Sequence, residues 1–417
     1  MELTDLPYDC LSCIFDCIPD LKQLLDKSTV CKQWNILVKR RLKKIRHLHV
    51  VSEDFLPYFH FSSDNHIYTD DVELMERVDV SQLLPNLKFL SLSLYPGQKC
   101  TGKMLVNILS STAKPLVGLT CKNQCCMSND SLQSGHVDIE EIVKHCESLE
   151  YMNIWNQFFR DIYFFKYKFG QNLKYFDGCT LPWYNEDYDS MMEEINLLCC
   201  YAARMPNLEV LILKKPLNEP RLWCLPKMKL KEIKFQHISS GSPVFQFLPL
   251  FPDLRSIKLS ILKVKNKDEG FPDSHTHLNV QDVVLKIHKH KGPTMGCFKH
   301  IKSILVKFPN CTNLYINLKN CEERKLLLTK EHFIEMIKIL PNLTLIVLNS
   351  KNCGDANTIG TLDKFCKSTG RRINFILRGD DRANDGTRVR SCTRFALNED
   401  VASPLKIDNE FLQKYVY

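Results

Sequence analysis

The chain carries 19 cysteines and 13 histidines, the residue types from which zinc sites and Cys–His nucleophiles are built. A structural zinc site needs two ligand pairs at short spacing. The tightest cluster, Cys121, Cys125 and Cys126 with Cys100, His136 and Cys146 nearby, lacks that pairing. Cys10 and Cys13 have the spacing of one pair, but they sit in an amphipathic helical stretch with no second pair beside them. Neither Cys31 nor Cys366 lies in a local signature of a catalytic thiol. Gly-rich phosphate loops, HExxH, G-x-S-x-G and the kinase motifs are missing, and glycine is scarce at 15 residues. The cysteines therefore read as reduced, small apolar fillers. The expectation is a binding protein, not an enzyme, with no metal and no cofactor.

Composition narrows the class. At 417 residues the chain can hold two or three ordinary domains, or one small and one long one. Hydrophobic content of 44% with 25% charged residues is ordinary for a globular protein. The net charge of +8 does not by itself argue for nucleic acid. No apolar run has the length of a membrane span, and MELTDLPYDC lacks the features of a signal peptide. Cytoplasmic and/or nuclear residence is expected, with no membrane partner. Asn129, Asn310 and Asn342 match the glycosylation acceptor, which has no meaning outside the secretory pathway.

The stretch Leu6 to Trp34 organises the N-terminal end. Leu11, Ile14, Phe15 and Ile18 recur at i, i+3, i+4 and i+7, the stripe of one amphipathic helix, with Pro7 in its first turn. Pro19-Asp20 ends that helix and starts another that carries Leu21, Leu24 and Leu25. Val30, Trp34, Leu37 and Val38 line one face of a third. Fewer than fifty residues give such a unit little core, so some of its apolar surface should be covered by something else.

The patterns LP-x-D-x-L-x-x-IF and LL-x-x-S-x-VCKQW in this stretch resemble the F-box. The matching positions are Leu6, Pro7, Leu11, Ile14, Phe15, Leu24, Leu25, Ser28, Val30, Cys31, Lys32 and Trp34. The resemblance implies docking to the adaptor subunit of a cullin-RING (SCF-type) ubiquitin ligase and, through it, to the cullin and RING subunits. Asp9 stands where Glu is commoner, and Lys27 where the pattern is usually apolar, which should weaken packing there. Without the resemblance the stretch reads as a helical cap on the next domain. The basic run after it (Lys39, Arg40, Arg41, Lys43, Lys44, Arg46) could serve nuclear import or nucleic acid. Leu37, Val38, Leu42 and Ile45 interleave with it at helical spacing, which favours the solvated, cationic end of the third helix.

From Ile45 the pattern apolar-x-x-apolar-x-apolar recurs. Strong copies are PNLKFLSL (Leu87, Leu90, Leu92), PNLEVLIL (Leu208, Leu211, Leu213), Leu230/Ile233/Phe235, PDLRSIKL (Leu254, Ile257, Leu259) and PNLTLIVL (Leu343, Ile346, Leu348). Weaker ones lie at Leu116–Leu119, Leu149–Ile154, Leu173–Phe176 and Ile373/Ile376. Most steps are about 22 to 35 residues, which resembles an irregular leucine-rich repeat array. Each copy reads as a short strand with leucines facing a shared core, followed by an outer helix. Helices are expected at Asp138–Cys146, Asp187–Ala203, Gln281–His290, Thr329–Leu340 and Thr358–Ser368. Pro206, Pro252 and Pro341 read as helix stops. Steps of 42 and 47 residues before Leu87 and Ile301 imply insertions or hidden copies. Of Ile301–Ile304 and Cys311–Leu314, only one can be a repeat, and Leu314 fits the period better. Phe55–Asp71, Lys263–His277 and Arg378–Arg394 read as loops, and Leu397–Tyr417 as a cap or tail.

The fold class is thus α/β: an all-α F-box-like unit over residues 1–44, an irregular leucine-rich repeat solenoid over 45–378 with parallel strands inside and helices outside, and a loop plus cap or tail over 379–417. The non-leucine strand positions offer a binding face. They supply Phe89, Tyr151, Asn153 and Tyr175 early, then Lys231, Lys234, Arg255, Lys258 and Lys302. Stacked cations repel one another unless a partner neutralises them, so an acidic or phosphorylated protein substrate is expected. A solvated face neutralised by neighbours such as Glu209 and Glu232 is the plainer alternative. The resulting expectation is a substrate-recognition subunit that promotes ubiquitination by proximity. The alternative is a non-degradative repeat scaffold or adaptor-binding assembly protein. A nucleic-acid binder is disfavoured, because the basic run shares its helix with Trp34.

Overall fold

The structure is a computed structural model that describes residues 6–51, 65–93, 102–111, 115–122, 144–154, 170–179, 205–213, 228–239, 243–263, 276–288, 294–318, 328–350, 356–378 and 392–395. The chain divides into two compact units, residues 1–185 with 197–209 and residues 186–196 with 210–417.

The first unit opens with helices α1 (Tyr8–Asp16), α2 (Leu21–Ser28) and α3 (Lys32–Lys44). Asp20 caps α2 by accepting from Gln23 N at 3.2 Å, and Cys31 Sγ accepts from Trp34 N at 3.5 Å to start α3. Two residues after α3 the chain enters a parallel sheet of β1 (His47–Val51), β2 (His66–Thr69), β3 (Phe89–Ser93), β4 (Gly118–Lys122), β5 (Tyr151–Ile154) and β6 (Tyr175–Cys179), in the order β2-β1-β3-β4-β5-β6. Short helices α4 (Val72–Arg77) and α5 (Val80–Leu83) are capped by Asp71 and Asp79, and α6 (Gly102–Ser111) follows β3. The helical N-terminus is fused to the sheet: Tyr68 N donates to Pro19 O at 2.8 Å, and Asn86 Nδ2 to Lys43 O at 2.8 Å. The division at residue 44 therefore falls inside one compact unit, where Ile45 is fully buried.

The second unit continues the plan with β7 (Val210–Leu213), β8 (Glu232–Ser239), β9 (Ser256–Lys263), β10 (Asp282–Ile287), β11 (Asn313–Asn317), β12 (Leu345–Asn349) and β13 (Asn374–Arg378), parallel and in sequence order. β14 (Cys392–Phe395) closes the edge antiparallel to β13. Parallel neighbours need crossover connections. Helices α7 (Thr294–Leu305), α8 (Lys330–Ile339) and α9 (Ala356–Ser368) lie in three of them, and a 3-10 segment (Pro243–Leu250) lies in another.

The leucine face is the core of both units. Leu48, Ile67, Leu90, Leu119, Met152 and Phe176 occupy one register row in the first, and Leu211, Ile233, Ile257, Val283, Leu314, Ile346 and Phe375 the matching row in the second. All are at most 5% exposed. The Pro-Asn turns do more than stop helices. Asn207 Nδ2 donates to Gln171 O at 2.8 Å, Asn310 Nδ2 to Leu278 O at 2.9 Å and Asn342 Nδ2 to Asn310 Oδ1 at 3.0 Å, pinning each turn to the one before.

Several expectations change. Gln281–His290 is not a helix but contains β10, one of the hidden repeats; its Val283, Val284 and Ile287 mimic a helical stripe because both faces of this strand are buried. Phe55–Asp71 is not all loop, since it holds β2, a four-residue edge strand too short and polar to announce itself. Ile301 and Ile304 lie in α7, and Leu314 in β11. Arg378–Arg394 ends inside β14. In β13 it is Phe375, not Ile376, that aligns with Ile346 on the leucine face. Helices occupy Lys330–Ile339 and Ala356–Ser368, within two residues of their expected bounds. The expectations at Asp187–Ala203, 138–143, 264–275, 379–391 and 396–417 lie outside the described residues.

Candidate docking surfaces

The helical N-terminus sorts its apolar residues into two sets. Leu11, Phe15, Leu21, Leu24, Leu37, Val38 and Leu42 are at most 5% exposed and form its core, where the Phe15 and Trp34 rings meet edge to face at 5.4 Å. Leu6, Leu25, Cys31 and Trp34 are half-buried, and Pro7 is exposed. Ile14 is 43% exposed, Val30 58%, Tyr8 39% and Ile36 59%. Sequence periodicity places Ile14 and Val30 on inward stripes. In the structure Val30 precedes α3, and Ile14 points away from Leu11 and Phe15 to solvent. Tyr8 and Ile36 belong to no motif of the sequence; Ile36 lies off the core stripe of α3, whereas Tyr8 stands at i−3 to the buried Leu11 and its exposure has no signal in the spacing. Lys27 is exposed and costs no packing. Of the basic run, Lys39, Arg40, Lys43 and Arg46 are exposed, whereas Arg41 is buried and donates from Nη2 to His66 O at 3.0 Å. Lys44 Nζ holds Asp16 at 2.6 Å, closing α3 on α1.

Opposite the leucines, the first unit presents a register row of rings: His66, His47, Phe89, then Gly118, Tyr151 and Tyr175. His47 stacks on His66 at 4.0 Å and on Phe89 at 4.5 Å, and Tyr151 on Tyr175 at 4.2 Å. Asn153 follows Tyr151 on the same face. Burial, with the neighbouring His66 and Arg46 charges, holds the His47 imidazole down to about 4, so it is neutral at physiological pH. Phe89, Tyr151 and Tyr175 thus lie together as expected, and the two histidines extend their row. No His-rich motif marks them in the sequence, because the pairing of β2 with β1 creates the stack.

The second unit carries the cations. Lys234 and Lys258 are register partners on the face opposite the leucines, both partly exposed. Lys231 and Arg255 are not on that face. They precede β8 and β9 at the exposed N-terminal edge of the sheet, where the Lys231 carbonyl accepts from Arg255 N and Ser256 N. Lys302 is not on a strand at all. It lies on α7 and pairs with Glu335 of α8, because the run expected as a strand is helical. The edge also pairs charges in the first unit, Lys174 with Glu150 at 2.8 Å.

Cys10 and Cys13 are exposed on α1, whereas burial raises the buried thiols Cys146 (to about 12), Cys311 and Cys366 and keeps them protonated. Cys100, Cys125, Cys126 and His136 lie outside the described residues. Among the described residues no group of three His, Cys, Asp or Glu side chains is placed to hold a metal ion, and no helix is long and apolar enough to cross a membrane. No protein-family model matches the chain, and no curated protein sequence does.

Proposed function

We propose that this chain is the substrate-recognition subunit of an SCF-type ubiquitin ligase. Its N-terminal helices dock the adaptor, and the sheet face opposite the leucines receives a protein substrate. One observation carries the reading. Of six large hydrophobic side chains exposed among the described residues, four (Tyr8, Ile14, Val30, Ile36) fall within residues 8–36. Exposed apolar residues concentrated in one small helical element mark a protein-docking surface. Ile14 and Val30 are themselves positions that resemble the F-box, Pro7 precedes Tyr8, and Trp34 stands two residues before Ile36. Leu11, Phe15 and Leu24 then hold the shape of the dock. The chain in this reading performs no bond chemistry; it raises the effective concentration of a substrate near the ubiquitin carrier. Lys234 and Lys258 favour an acidic or phosphorylated substrate segment.

The test is a pull-down of the full chain from cell lysate beside Ile14→Asp and the Leu6→Ala/Pro7→Ala double variant, read by mass spectrometry. Adaptor and cullin should copurify with the wild-type chain and be lost with both variants, while circular dichroism stays unchanged. Their absence from the wild-type sample, or their retention by the variants, refutes the docking assignment. Lys234→Glu/Lys258→Glu should keep the adaptor and lose the substrate.

A further inference from the structure

The cysteines of α1 do not behave as apolar fillers. Cys10 and Cys13 on α1 and Cys17 at its C-cap are all exposed, whereas Cys146, Cys311 and Cys366 are buried. Cysteine is among the residue types most often buried, so three exposed thiols on one helix serve no packing role. At about 100° per residue the three fall within an arc of ~60°, turned away from the buried Leu11 and Phe15. Ile14, 43% exposed, and the exposed Pro7 border that arc, so the stripe is uncharged. Asp9 and Asp16 fall beside it, and Asp16 is held by Lys44 of α3 at 2.6 Å. Leu11 and Phe15 make the core contacts of α1, so groups added to the thiols leave its packing intact.

We infer that Cys10, Cys13 and Cys17 are sites of S-acylation by a long-chain fatty acyl-coenzyme A, which seats the outer face of α1 on a membrane surface. Other thiol chemistry fits the stripe less well. Helical residues three or four apart hold their Cβ atoms about 5–6 Å apart, beyond the ~3.5–4.5 Å that a disulfide spans. Cys17 N donates to Cys13 O at 3.2 Å, so the turn between that pair is intact. Cys10 and Cys17 lie about 10 Å apart along the helix axis. No pair closes without breaking α1, and among the described residues no group of three side chains is placed to hold a metal ion. Cysteines on amphipathic helices are common acceptors of reversible S-acylation. In the transfer, Sγ attacks the thioester carbonyl, a new S–C bond forms, and the bond to coenzyme A breaks. The acyl group passes to the cysteine and the thiol proton to the released coenzyme A, with no oxidant or reductant. One acyl chain attaches a protein marginally and a second makes the attachment stable, so thiols sharing one face are what an anchor requires. Pro7 and Ile14 give the chains an apolar surface beside them. Under the ligase reading, membrane and adaptor compete for Ile14. The thiol chemistry itself does not depend on that reading.

The experiment expresses the full chain in cultured cells fed an alkynyl palmitate. The wild-type chain should take up label that neutral hydroxylamine removes, the mark of a thioester, and the label should map to the peptide holding Cys10, Cys13 and Cys17. Cys10→Ser/Cys13→Ser/Cys17→Ser should lose most of the label and shift from the membrane pellet to the supernatant. Variants that keep one of the three thiols should stay labelled yet lie mainly in the supernatant, because one chain holds weakly. The triple alanine variant should repeat the triple serine result, with circular dichroism of both matching the wild type. A wild-type chain without label overturns the proposal, as does label that persists in the triple variants. A labelled wild-type chain that stays in the supernatant, or α1 thiols recovered as disulfides or oxidised sulfur, overturns it too. Labelling and fractionation are read without the adaptor, so failure here is separable from failure of the ligase reading.

Discussion

Gly118→Ala tests the stacked row of the first unit. A Cβ at Gly118 would stand 2.3 Å from Phe89 Cδ1 and 2.7 Å from Cε1. Ordinary contact begins near 3.4 Å, so the ring must retreat by about 1 Å. It has no room to slide along the row, because His47 stacks on it at 4.5 Å with planes 3° apart, and His66 backs His47 at 4.0 Å. Either the stack is compressed, at an overpacking cost of ~1–3 kcal/mol, or the Phe89 ring swings out and forfeits stacking worth ~0.5–1.5 kcal/mol. Both routes destabilise β3 and β4, by about 0.5 kcal/mol at the least. The cost should vanish in a Phe89→Ala background, giving a coupling of at least ~0.5 kcal/mol in a double-mutant cycle. Native-state hydrogen exchange of β3 and β4 amides reads this locally. The second route also uncovers His47, whose imidazole should then titrate well above its folded value of about 4 by NMR. An unchanged exchange profile in Gly118→Ala, or an equal loss in the Phe89→Ala background, refutes the geometry.

The same histidine sets a pH dependence. Its folded value lies below the ordinary 6.5, so the unfolded chain binds the proton first. The stabilisation is complete above pH 6.5 and is lost as pH falls toward 4, and first-unit stability that stays flat over that window would contradict it. At α8, Thr329 N donates to His332 Nδ1 at 3.1 Å, and burial lowers the His332 value. Acidification below 6.5 should protonate that acceptor and fray the first turn of α8, seen as lost amide protection after correction for intrinsic rates. Phe333→Ala, at a fully buried site, should cost about 3–5 kcal/mol in exchange of α8 and β12. Asn310→Ala removes the bond to Leu278 O and the acceptor for Asn342, and should cost ~0.5–1.5 kcal/mol; a neutral effect in a denaturant titration would show the turn ladder to be dispensable.

Leucine spacing makes the repeat core legible, because a row of side chains facing a shared interior leaves a fixed period in any sequence. Leu90, Leu211, Ile233, Ile257 and Ile346 all take the positions their motifs imply. The period fails where a strand is buried on both faces, as at Val283 and Val284, or is too short and polar to show alternation, as at His66–Thr69. Lys302 is misplaced by sequence reasoning for a related reason. Two apolar residues three apart, such as Ile301 and Ile304, fit a helix as well as a repeat, and only the wider pattern of neighbouring residues separates the two.

The sequence by itself determined the leucine face, the N-terminal helices and most of the repeat strands, because caps, apolar period and turn residues act over a few neighbours. It could not say which side chains of an amphipathic helix stay exposed. Leu11 and Ile14 are three apart on α1, yet one is buried and the other is 43% exposed. That division depends on where α3 packs. Strand pairing likewise stacks His47, His66 and Phe89, and buries Val284, Tyr315 and Val347 on the face that alternation assigns to solvent. Residues tens of positions apart meet only when the sheet forms, so tertiary structure alone could decide which apolar side chains stay exposed and which are buried.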